Sequence, residues 1–484
     1  MFKKFKLFMP LLLIIGCSVG PDYKRPQNFS DQQIKSDLNL SADTTKLPSK
    51  EWYKSFDDPT LDELIENALA NAPDIKAAGE KLLQARINLG ISRAELGPEI
   101  TAELSTTKSK AFETADYKNK STYYQSGFDA SWEIDLWGKI RRLNESNAAI
   151  WQATAAEFDN VKMTLIAEIA ANYINYRQNE KILAITEHNL KLQQEIADII
   201  KNKHQAGTAD DLAMEQALAA VWETQTQIPD LRANINSYRN NLALLCGVLA
   251  SQLDFPETKI LEHHPKIDIA EIHKIPVAII RNRPDVQSAE QNLVAQNALI
   301  GSRIANLLPS ISLSGFLGWQ NTSLSPIFAD KFEIYNLGGV VDLPIWNWNK
   351  RVNQIKLQES LTRQAVIAYS KSVLTATTDI NRAMKNWQEA AEQTNSSKRN
   401  RQAKNKILDL SWIKYKNGLI EFSDVLTAEQ NKLSAEQQYI NSLSKWYKAI
   451  ISFNKSIGGG WGVNRNNHAD QKDAASSYAA SYRD

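Results

Sequence analysis

The hydrophobic pattern of the chain changes period where a helical stretch ends. Apolar residues recur every three or four positions over residues 61–91, which predicts helix, and this pattern stops at Gly97-Pro98. Beyond the proline, apolar and polar residues alternate, which predicts strands, and a long proline-free stretch with a narrow apolar stripe follows. The elements predicted for this half are strands over about 99–110 and 121–137 and a long helix over about 139–205.

The second half of the chain repeats this layout about 211 residues later. Asn71-Ala72-Pro73-Asp74-Ile75 returns as Asn282-Arg283-Pro284-Asp285-Val286, and Gly207 and Gly418 follow the two long stretches. The elements predicted here are strands over about 309–320 and 331–346 and a long helix over about 350–416. One offset held over this span indicates an internal duplication. We therefore expect a mainly α fold in which a strand-strand-long helix unit is built twice.

The two repeats also organise the rest of the chain. The predicted segments are a lipoprotein signal peptide over 1–16, an extended N-terminal arm over 17–58, a first repeat over 59–247, a linker over 248–275, a second repeat over 276–458 and a flexible C-terminal tail over 459–484. The repeats thus cover nearly all of the mature chain.

The predicted strands are long enough to cross an outer membrane, which takes about ten residues each. Four strands do not close a barrel, and lipid does not tolerate open sheet edges, so several chains have to share one barrel. Two chains would give eight strands and a filled interior, whereas three would give twelve strands and a lumen. Asp129, Glu133 and Asp135 share one face of the second strand and favour a wet lumen. The alternative is a soluble sandwich with one exposed face.

The long helices have a reach that no globular domain needs. At about 1.5 Å per residue, each extends on the order of 100 Å. The first carries a narrow apolar stripe that includes Ile166, Ile169 and Tyr173, which is typical of coiled-coil packing against neighbouring helices. A helical scaffold that only separates two ends is the alternative interpretation.

Composition and charge exclude several classes of protein. The chain has 484 residues and a net charge of +1, without the basic excess that nucleic-acid binding needs. Hydrophobic residues make up 43% of it. Beyond the extreme N-terminus, however, no apolar run reaches the roughly 18 residues of a membrane-spanning helix.

The N-terminus has the pattern of an export signal. Lys3, Lys4 and Lys6 precede the apolar residues 11–15, and Gly16-Cys17 follows. Cys17 resembles the lipobox cysteine of bacterial lipoproteins, which implies acylation of its thiol and anchoring to outer-membrane lipid. Ser18 after the cysteine favours sorting to the outer membrane. The alternative is an ordinary signal peptide in which the cysteine is incidental.

Catalytic chemistry is not visible in the sequence. No nucleophile elbow, P-loop, HExxH or Cys-x-x-Cys motif occurs, and the six histidines do not form a ligand set. The second cysteine, Cys246, is interpreted as a small buried apolar residue. We therefore expect no enzymatic activity, no cofactor and no metal site.

The layout as a whole resembles a known family of transport proteins. The residues that carry the resemblance are Cys17-Ser18-Val19-Gly20-Pro21-Asp22-Tyr23, Trp52 with Phe56 and Leu61, Arg283-Pro284-Asp285-Val286 leading to Leu308-Pro309, and Gly418 leading to Asp424-Val425-Leu426. They are similar to those of the outer-membrane efflux proteins of the TolC type, in the lipoprotein branch of NodT-like outer membrane factors.

The resemblance implies an architecture and a set of partners. It implies a homotrimer whose twelve-stranded outer-membrane β-barrel continues into a periplasmic α-barrel of twelve helices. It further implies a passive exit duct for small molecules such as drugs, lipid-anchored in the outer membrane and extending into the periplasm. A periplasmic adaptor, or membrane fusion protein, and an inner-membrane pump of the RND type would be its partners. A type I duct for secreted polypeptide and a non-conducting structural lipoprotein remain alternatives.

The same resemblance suggests where the duct closes. In the family, charged and aromatic side chains at the helical hairpin tips hold the periplasmic end shut, and here Tyr415, Asp424 and Thr427 match those positions. Asp210, Asp211 and Glu421 are further acids near the tips, where three copies would repel one another. The hairpin turns expected to contact the adaptor are Gly207, Thr208, Gly418 and Leu419. The alternative is that the acids only cap helices.

Overall fold

The computed structural model describes residues 18–26, 33, 36, 38, 49–110, 120–265, 278–325 and 328–461. The predicted signal peptide, Cys17 and nearly all of the predicted tail lie outside the described residues. Contacts divide the chain into two compact units. The first comprises Met1–Gln27, Lys81–Ala155 and Ser288–Lys371, and the second comprises Asn28–Glu80, Ala156–Gln287 and Ser372–Asp484.

Most of the described residues are helical. The helices are α1 (Pro59–Asn71), α2 (Pro73–Ala94), α3 (Lys139–Gln205), α4 (Asp211–Cys246), α5 (Ala278–Asn282), α6 (Pro284–Ala305), α7 (Lys350–Lys416) and α8 (Phe422–Ser456). Short 3-10 helices cover Trp52–Phe56, Ala250–Gln252 and Asp330–Phe332. Among the helices of the described ranges, none is both long and apolar enough to cross a membrane.

One antiparallel sheet lies in the first unit. Its strands are β1 (Glu99–Lys110), β2 (Lys120–Ile134), β3 (Ser310–Asn321) and β4 (Glu333–Asp342), and they neighbour one another in chain order. The sheet therefore has two edges, β1 and β4. Most residues of both edge strands are exposed, whereas most of β3 is at least half-buried.

Two strands end earlier than the sequence pattern predicts. β2 stops at Ile134 rather than at 137, because the carboxylate of Asp135 turns to accept hydrogen bonds from the backbone N–H groups of Ile140 and Arg141, both at 2.9 Å. β4 stops at Asp342 rather than at 346, and Pro344, which has no N–H to donate to a strand partner, lies two residues further on. Apolar alternation continues past both ends and does not reveal these turns.

The internal duplication extends to the pairing of individual residues. Glu99 of β1 pairs with Ser131 of β2, and Ser310 of β3 pairs with Asp342 of β4. Each member of the second pair lies 211 positions after its counterpart, so the two hairpins share one register. The long helices α3 and α7 also match in length, at 67 residues each.

The chain that follows Cys17 is attached to the first unit by hydrogen bonds. Arg142 of α3 is buried, and its Nε donates to the carbonyl oxygen of Val19 at 3.1 Å. The Arg25 guanidinium donates to both carboxylate oxygens of Glu290 on α6, at 2.6 and 3.0 Å. Gly20 packs so closely on Gly301 of α6 that a side chain at Gly20 would overlap the Gly301 backbone, and a side chain at Gly301 would overlap the carbonyl oxygen of Val19. The start of the arm thus has a defined path across the two repeats.

Buried polar side chains brace the second unit. Asp58 caps α1 through the N–H of Thr60 at 3.0 Å, and its other carboxylate oxygen accepts from the hydroxyls of Tyr173 at 2.9 Å and Thr258 at 2.7 Å. Asp58 and Tyr173 are both buried, so the loss of any one of these hydrogen bonds would leave a buried polar atom unpaired and lower the stability of the fold. This network connects the arm, the helix α3 and the linker.

The Arg-Pro-Asp sequence that opens α6 has a structural role. The Arg283 guanidinium binds both carboxylate oxygens of Asp285, at 3.0 and 2.7 Å, and donates to the carbonyl oxygen of Ser456 at 2.8 Å. The proline occupies the first helical position, where no N–H is needed. Arg283 therefore attaches the start of α6 to the end of α8.

Candidate functional site

The candidate site consists of two helical hairpin turns in the second unit. Gly207 follows α3 with φ of 71°, and Gly418 follows α7 with φ of 67°, a conformation that favours glycine. The N–H of Thr208 donates to the carbonyl oxygen of Lys203 at 2.8 Å, and the N–H of Leu419 donates to that of Lys414 at 2.9 Å. Both turns therefore end their helices with the same Schellman geometry.

Acids in the first hairpin bond within that hairpin. The carboxylate of Asp210 accepts from the backbone N–H of Ala213 at 2.9 Å and so caps α4. Asp211 forms an ion pair with His204, whose Nε2 lies 2.6 Å from the carboxylate oxygen. Both aspartates are exposed. The N-terminus of a helix stabilises negative charge, so these positions suit acids whether or not they take part in gating.

The second hairpin uses its acids in a similar way. The carboxylate of Asp424 accepts from the backbone N–H of Glu421, which is the N-cap residue of α8, at 3.3 Å. Thr427 is exposed, and its hydroxyl donates to the carbonyl oxygen of Ser423 on the preceding turn, at 2.9 Å. Neither residue contacts the first hairpin by a hydrogen bond in the part of the chain that the structure describes.

Tyr415 is the predicted site residue that joins the two hairpins. The Nζ of Lys203, in the last turn of α3, lies 3.4 Å from the Tyr415 hydroxyl and 5.1 Å from the centre of its ring. The same ring contacts Phe422 of α8, with centroids 5.7 Å apart. Sequence reasoning missed Lys203, and the one available signal was a basic residue in the last turn of a helix, which is common at exposed helix ends.

The two hairpins hold different pairs at equivalent positions. His204 and Asp211 form the ion pair of the first hairpin, and their counterparts 211 positions later are Tyr415 and Phe422, which form the aromatic contact of the second. One geometric contact is therefore made by a polar imidazole–carboxylate pair in one hairpin and by aromatic rings in the other. The first is exposed to solvent, whereas Phe422 is buried.

An apolar cluster next to the turns draws on both hairpins. Its buried members are Ala197 and Ile200 of α3, Ala217, Ala220 and Val221 of α4, and Phe422, Val425 and Leu426 of α8. Trp412 and Tyr415 of α7 pack against it. The four helices of a single chain are thus held together close to their turns by hydrophobic contact as well as by Lys203.

A buried carboxylate lies further along α8. Glu429 is 3% exposed, and within the described ranges one of its carboxylate oxygens, Oε2, has no hydrogen-bond partner. Burial raises its pKa to about 7, and the nearby Lys432 opposes this only in part. Sequence reasoning missed this residue. The available signal was an acid three residues after Leu426 and four before Leu433, on the apolar stripe of its helix.

Two further groups of side chains bear on the chemistry. Cys246 is buried, and burial raises the pKa of its thiol to about 11, as suits the small apolar residue that the sequence indicates. Two of the three acids expected to face a lumen form ion pairs at the start of α3, where Lys139 Nζ lies 2.9 Å from Glu133 and Arg141 Nε lies 3.1 Å from Asp135. Among the described residues, no group of three or more His, Cys, Asp or Glu side chains is placed to hold a metal ion.

Comparisons with known proteins match nearly the whole chain. A family model described as outer membrane efflux protein matches residues 64–248 and 275–459, the two repeats. The solvent efflux pump outer membrane protein SrpC of Pseudomonas putida is 28% identical over 96% of this chain and 100% of its own length. The cation efflux system protein CusC of Escherichia coli K12 is 26% identical over 94% of this chain and 98% of its own.

Solved structures give the same result. The outer-membrane channel OprN aligns with a TM-score of 0.83 and 28% identity, covering 92% of this chain and 100% of OprN. The similarity therefore includes the arrangement of the elements as well as the sequence.

Proposed function

The chain belongs to the outer membrane efflux protein family, and from this membership we propose that three copies form the passive exit duct of a tripartite efflux system. Its relatives are outer-membrane channels of efflux pumps, and the outer membrane is its location. The match of both repeats to the family model carries the proposal. A periplasmic adaptor and an inner-membrane pump of the RND type are its partners, and the pump supplies the energy.

The open sheet supports the homotrimer. A four-stranded sheet with two exposed edges leaves backbone N–H and C=O groups unpaired, which lipid does not tolerate. Leu104 of β1 is 75% exposed and Leu337 of β4 is 83% exposed, as is expected of strands that await neighbours and lipid. Three copies give a twelve-stranded barrel with a lumen, and their long helices give a periplasmic α-barrel of twelve.

The start of the arm supports a lipid anchor on Cys17. Ser18, the next residue, packs against Gly138, which lies four residues beyond the end of β2. The N–H of Val19 donates to the carbonyl oxygen of Trp137 at 3.0 Å. Ser18 therefore lies close to one end of the membrane strands, and acyl chains on the residue before it would enter the adjacent leaflet there.

The hairpin turns are the periplasmic gate in this proposal. The contact of Lys203 with Tyr415 and the apolar cluster hold the two hairpins of one chain together, which supports a role for them in closing the duct. Asp210, Asp211, Glu421 and Asp424 cap or flank their helices, and in a trimer they also repel their counterparts across the axis. The exposed turns at Gly207, Thr208, Gly418 and Leu419 are the surface that the adaptor contacts and spreads.

The cargo is a small molecule whose identity the pump selects. Relatives of similar identity are named for solvent efflux in one case and for cation efflux in another. One duct architecture therefore accompanies chemically different cargo. The described residues of this chain offer no metal-binding cluster that would favour a cation.

Single-channel conductance tests the proposed function. Purified trimers in a planar bilayer should show a small conductance that rises when Lys203 and Tyr415 are both replaced by alanine. A chain that conducts in no state, including this variant, would be a structural lipoprotein rather than a duct. Deletion should cause hypersensitivity to small toxic compounds with normal protein secretion, whereas lost secretion would indicate a polypeptide duct. Cys17→Ala should abolish palmitate labelling and release the protein from lipid anchoring.

A further inference from the structure

The internal duplication predicts how neighbouring copies join. The seam between β2 and β3 joins the first repeat to the second within one chain. A seam between β4 and β1 of another copy would join the second repeat to the first. Because the two hairpins share one register, each seam pairs the second strand of one hairpin with the first strand of the other, at equivalent residues. The geometry of the seam inside the chain is therefore a template for the seam between chains.

The template has a defined register. Ala130 of β2 pairs with Gly315 of β3 in an antiparallel arrangement. The counterpart of Ala130 is Val341 on β4, and the counterpart of Gly315 is Leu104 on β1, each 211 positions away. Val341 is 67% exposed and Leu104 is 75% exposed, so both are free for such a contact. A slip by one residue would place Val341 opposite a polar residue of the other sheet face.

A side-chain hydrogen bond accompanies the seam inside the chain. The indole Nε1 of Trp137 donates to the carbonyl oxygen of Pro309 at 2.8 Å. The residues at the equivalent positions are Trp348 and Pro98. Trp348 is 84% exposed, and in the part of the chain that the structure describes its indole has only an edge contact with Trp346, at 5.7 Å. Pro98 is exposed as well.

The backbone of Trp348 also suggests a missing contact. Its φ is 52°, a left-handed conformation that is unusual for a bulky residue, whereas its counterpart Trp137 has no positive φ; the next residue, Asn349, has φ of 61° where the first repeat has Gly138. A tryptophan that is strained, exposed and without a hydrogen-bond acceptor is typical of a residue that docks on a partner.

We propose that β4 pairs with β1 of a neighbouring copy in the register that places Val341 opposite Leu104, and that the Trp348 indole N–H donates to the Pro98 carbonyl oxygen of that copy. The proposal rests on the trimer of the proposed function and assigns its seam residue by residue. The occupant of each sheet edge is a second copy of this chain, because only the repeat surface has the matching register.

The proposed seam is weaker than its template at one position. It sets Asp342 opposite Glu103 of the neighbouring copy, whereas the equivalent residues inside the chain, Ser131 and Ser314, are uncharged. Like charges directly opposite one another destabilise an antiparallel pair. A variant without this repulsion should therefore form a more stable trimer, which gives a test that does not depend on damaging the fold.

Cysteine cross-linking tests the register in the full-length protein. In the proposed register Val340 lies opposite Ser105 of the neighbouring copy, so Val340→Cys with Ser105→Cys should give covalent trimers on a non-reducing gel. The two positions are on opposite edges of one sheet, separated by about 14 Å across three strand spacings and by a further eight residues along the strands, so they do not cross-link within a chain. The matched control is Val340→Cys with Thr101→Cys, displaced by four residues or about 13 Å along β1.

Three outcomes decide between the proposals. Cross-links in the first pair alone support the register, and cross-links in the control pair alone overturn it while leaving the trimer intact. A protein that is monomeric by size before oxidation overturns both the seam and the proposed function.

Thermal dissociation of the trimer provides the second measurement. Asp342→Ser should raise the dissociation temperature, and Trp348→Phe should lower it while Trp346→Phe, which alters an equally exposed neighbour, leaves it nearly unchanged. Equal effects of the two tryptophan variants, or no gain from Asp342→Ser, would contradict the assigned contacts.

Discussion

Glu429 offers the most direct test of the packing near the hairpin turns, because it is an acid in a place that disfavours its charge. Replacing it with glutamine keeps the size of the side chain and removes the ionisable group. The carboxylate oxygen without a partner has no interaction to lose. The substitution should therefore stabilise the protein at neutral pH.

The magnitude and the sign follow from the pKa of Glu429. Burial raises it from 4.5 to about 7 in the folded state, so the folded protein holds this proton more tightly than the unfolded chain does. The contribution of the protonated Glu429 carboxyl to the free energy of unfolding is fully present below pH 4.5 and is lost as the pH rises through about 7. The shift corresponds to about 3 kcal/mol at pH 8, which is an upper value for the gain from Glu429→Gln.

Hydrogen exchange gives the local readout that this prediction needs. Protection factors for amides of α8 should rise in Glu429→Gln at pH 8, and the difference from the parent protein should shrink towards pH 4.5. Glu436→Gln is the matched control, because Glu436 lies on the same helix at a half-buried position, 3.9 Å from Lys432. We expect it to change the opening free energy by about 0.5 kcal/mol or less. Equal protection in both variants at pH 8 would refute the argument that the Glu429 charge is buried.

Three other substitutions test separate contacts. Tyr415→Phe keeps the ring on the apolar cluster but removes the hydroxyl near Lys203, so it should raise closed-state conductance less than Lys203→Ala does, as single-channel recordings would show. Tyr173→Phe leaves a carboxylate oxygen of buried Asp58 with one partner fewer and should lower the free energy of unfolding by about 1–3 kcal/mol in denaturant titrations. Asp210→Ala removes an N-cap, so hydrogen exchange should show that the opening free energy of the first turn of α4 falls by about 1 kcal/mol. An unchanged opening free energy would show that the cap contributes nothing.

The long elements are those that the sequence pattern predicts well. α3 and α7 cover the ranges expected of proline-free stretches that end before Gly207 and Gly418. The absence of proline and the position of a glycine that can adopt positive φ can both be read from the sequence. The ends of β2 and β4 are different. The carboxylate of Asp135 accepts hydrogen bonds from the first turn of α3, and this local turn is not encoded in the alternation of apolar and polar residues.

The site residues divide along the same line. Tyr415 is predicted by resemblance to a family, because a tyrosine at the hairpin tip is among the matching residues, and the structure places it next to Lys203 and Phe422. Lys203 and Glu429 are not found, because their importance depends on which face of a helix is buried. The sequence does not determine which face is buried when the apolar stripe is narrow and contains mixed residues. In the folded chain, the packing of α8 on three other helices determines it.

The unlike pairs of the two hairpins imply an order of opening. The contact of His204 with Asp211 is exposed and is an ion pair only when the imidazole carries a proton; it then contributes about 1 kcal/mol or less and is screened by salt. The contact of Tyr415 with Phe422 adds about 0.5–1.5 kcal/mol beyond its buried area and is insensitive to salt. With His204 protonated, the first hairpin should therefore loosen first, and conductance recorded under acidic conditions should rise with ionic strength by more than the bulk conductivity does. The double variant His204→Tyr with Asp211→Phe gives the first hairpin the pair of the second, and it should remove this excess. An excess that persists in the variant would place the salt-sensitive step elsewhere, among the acids that face one another across the trimer axis.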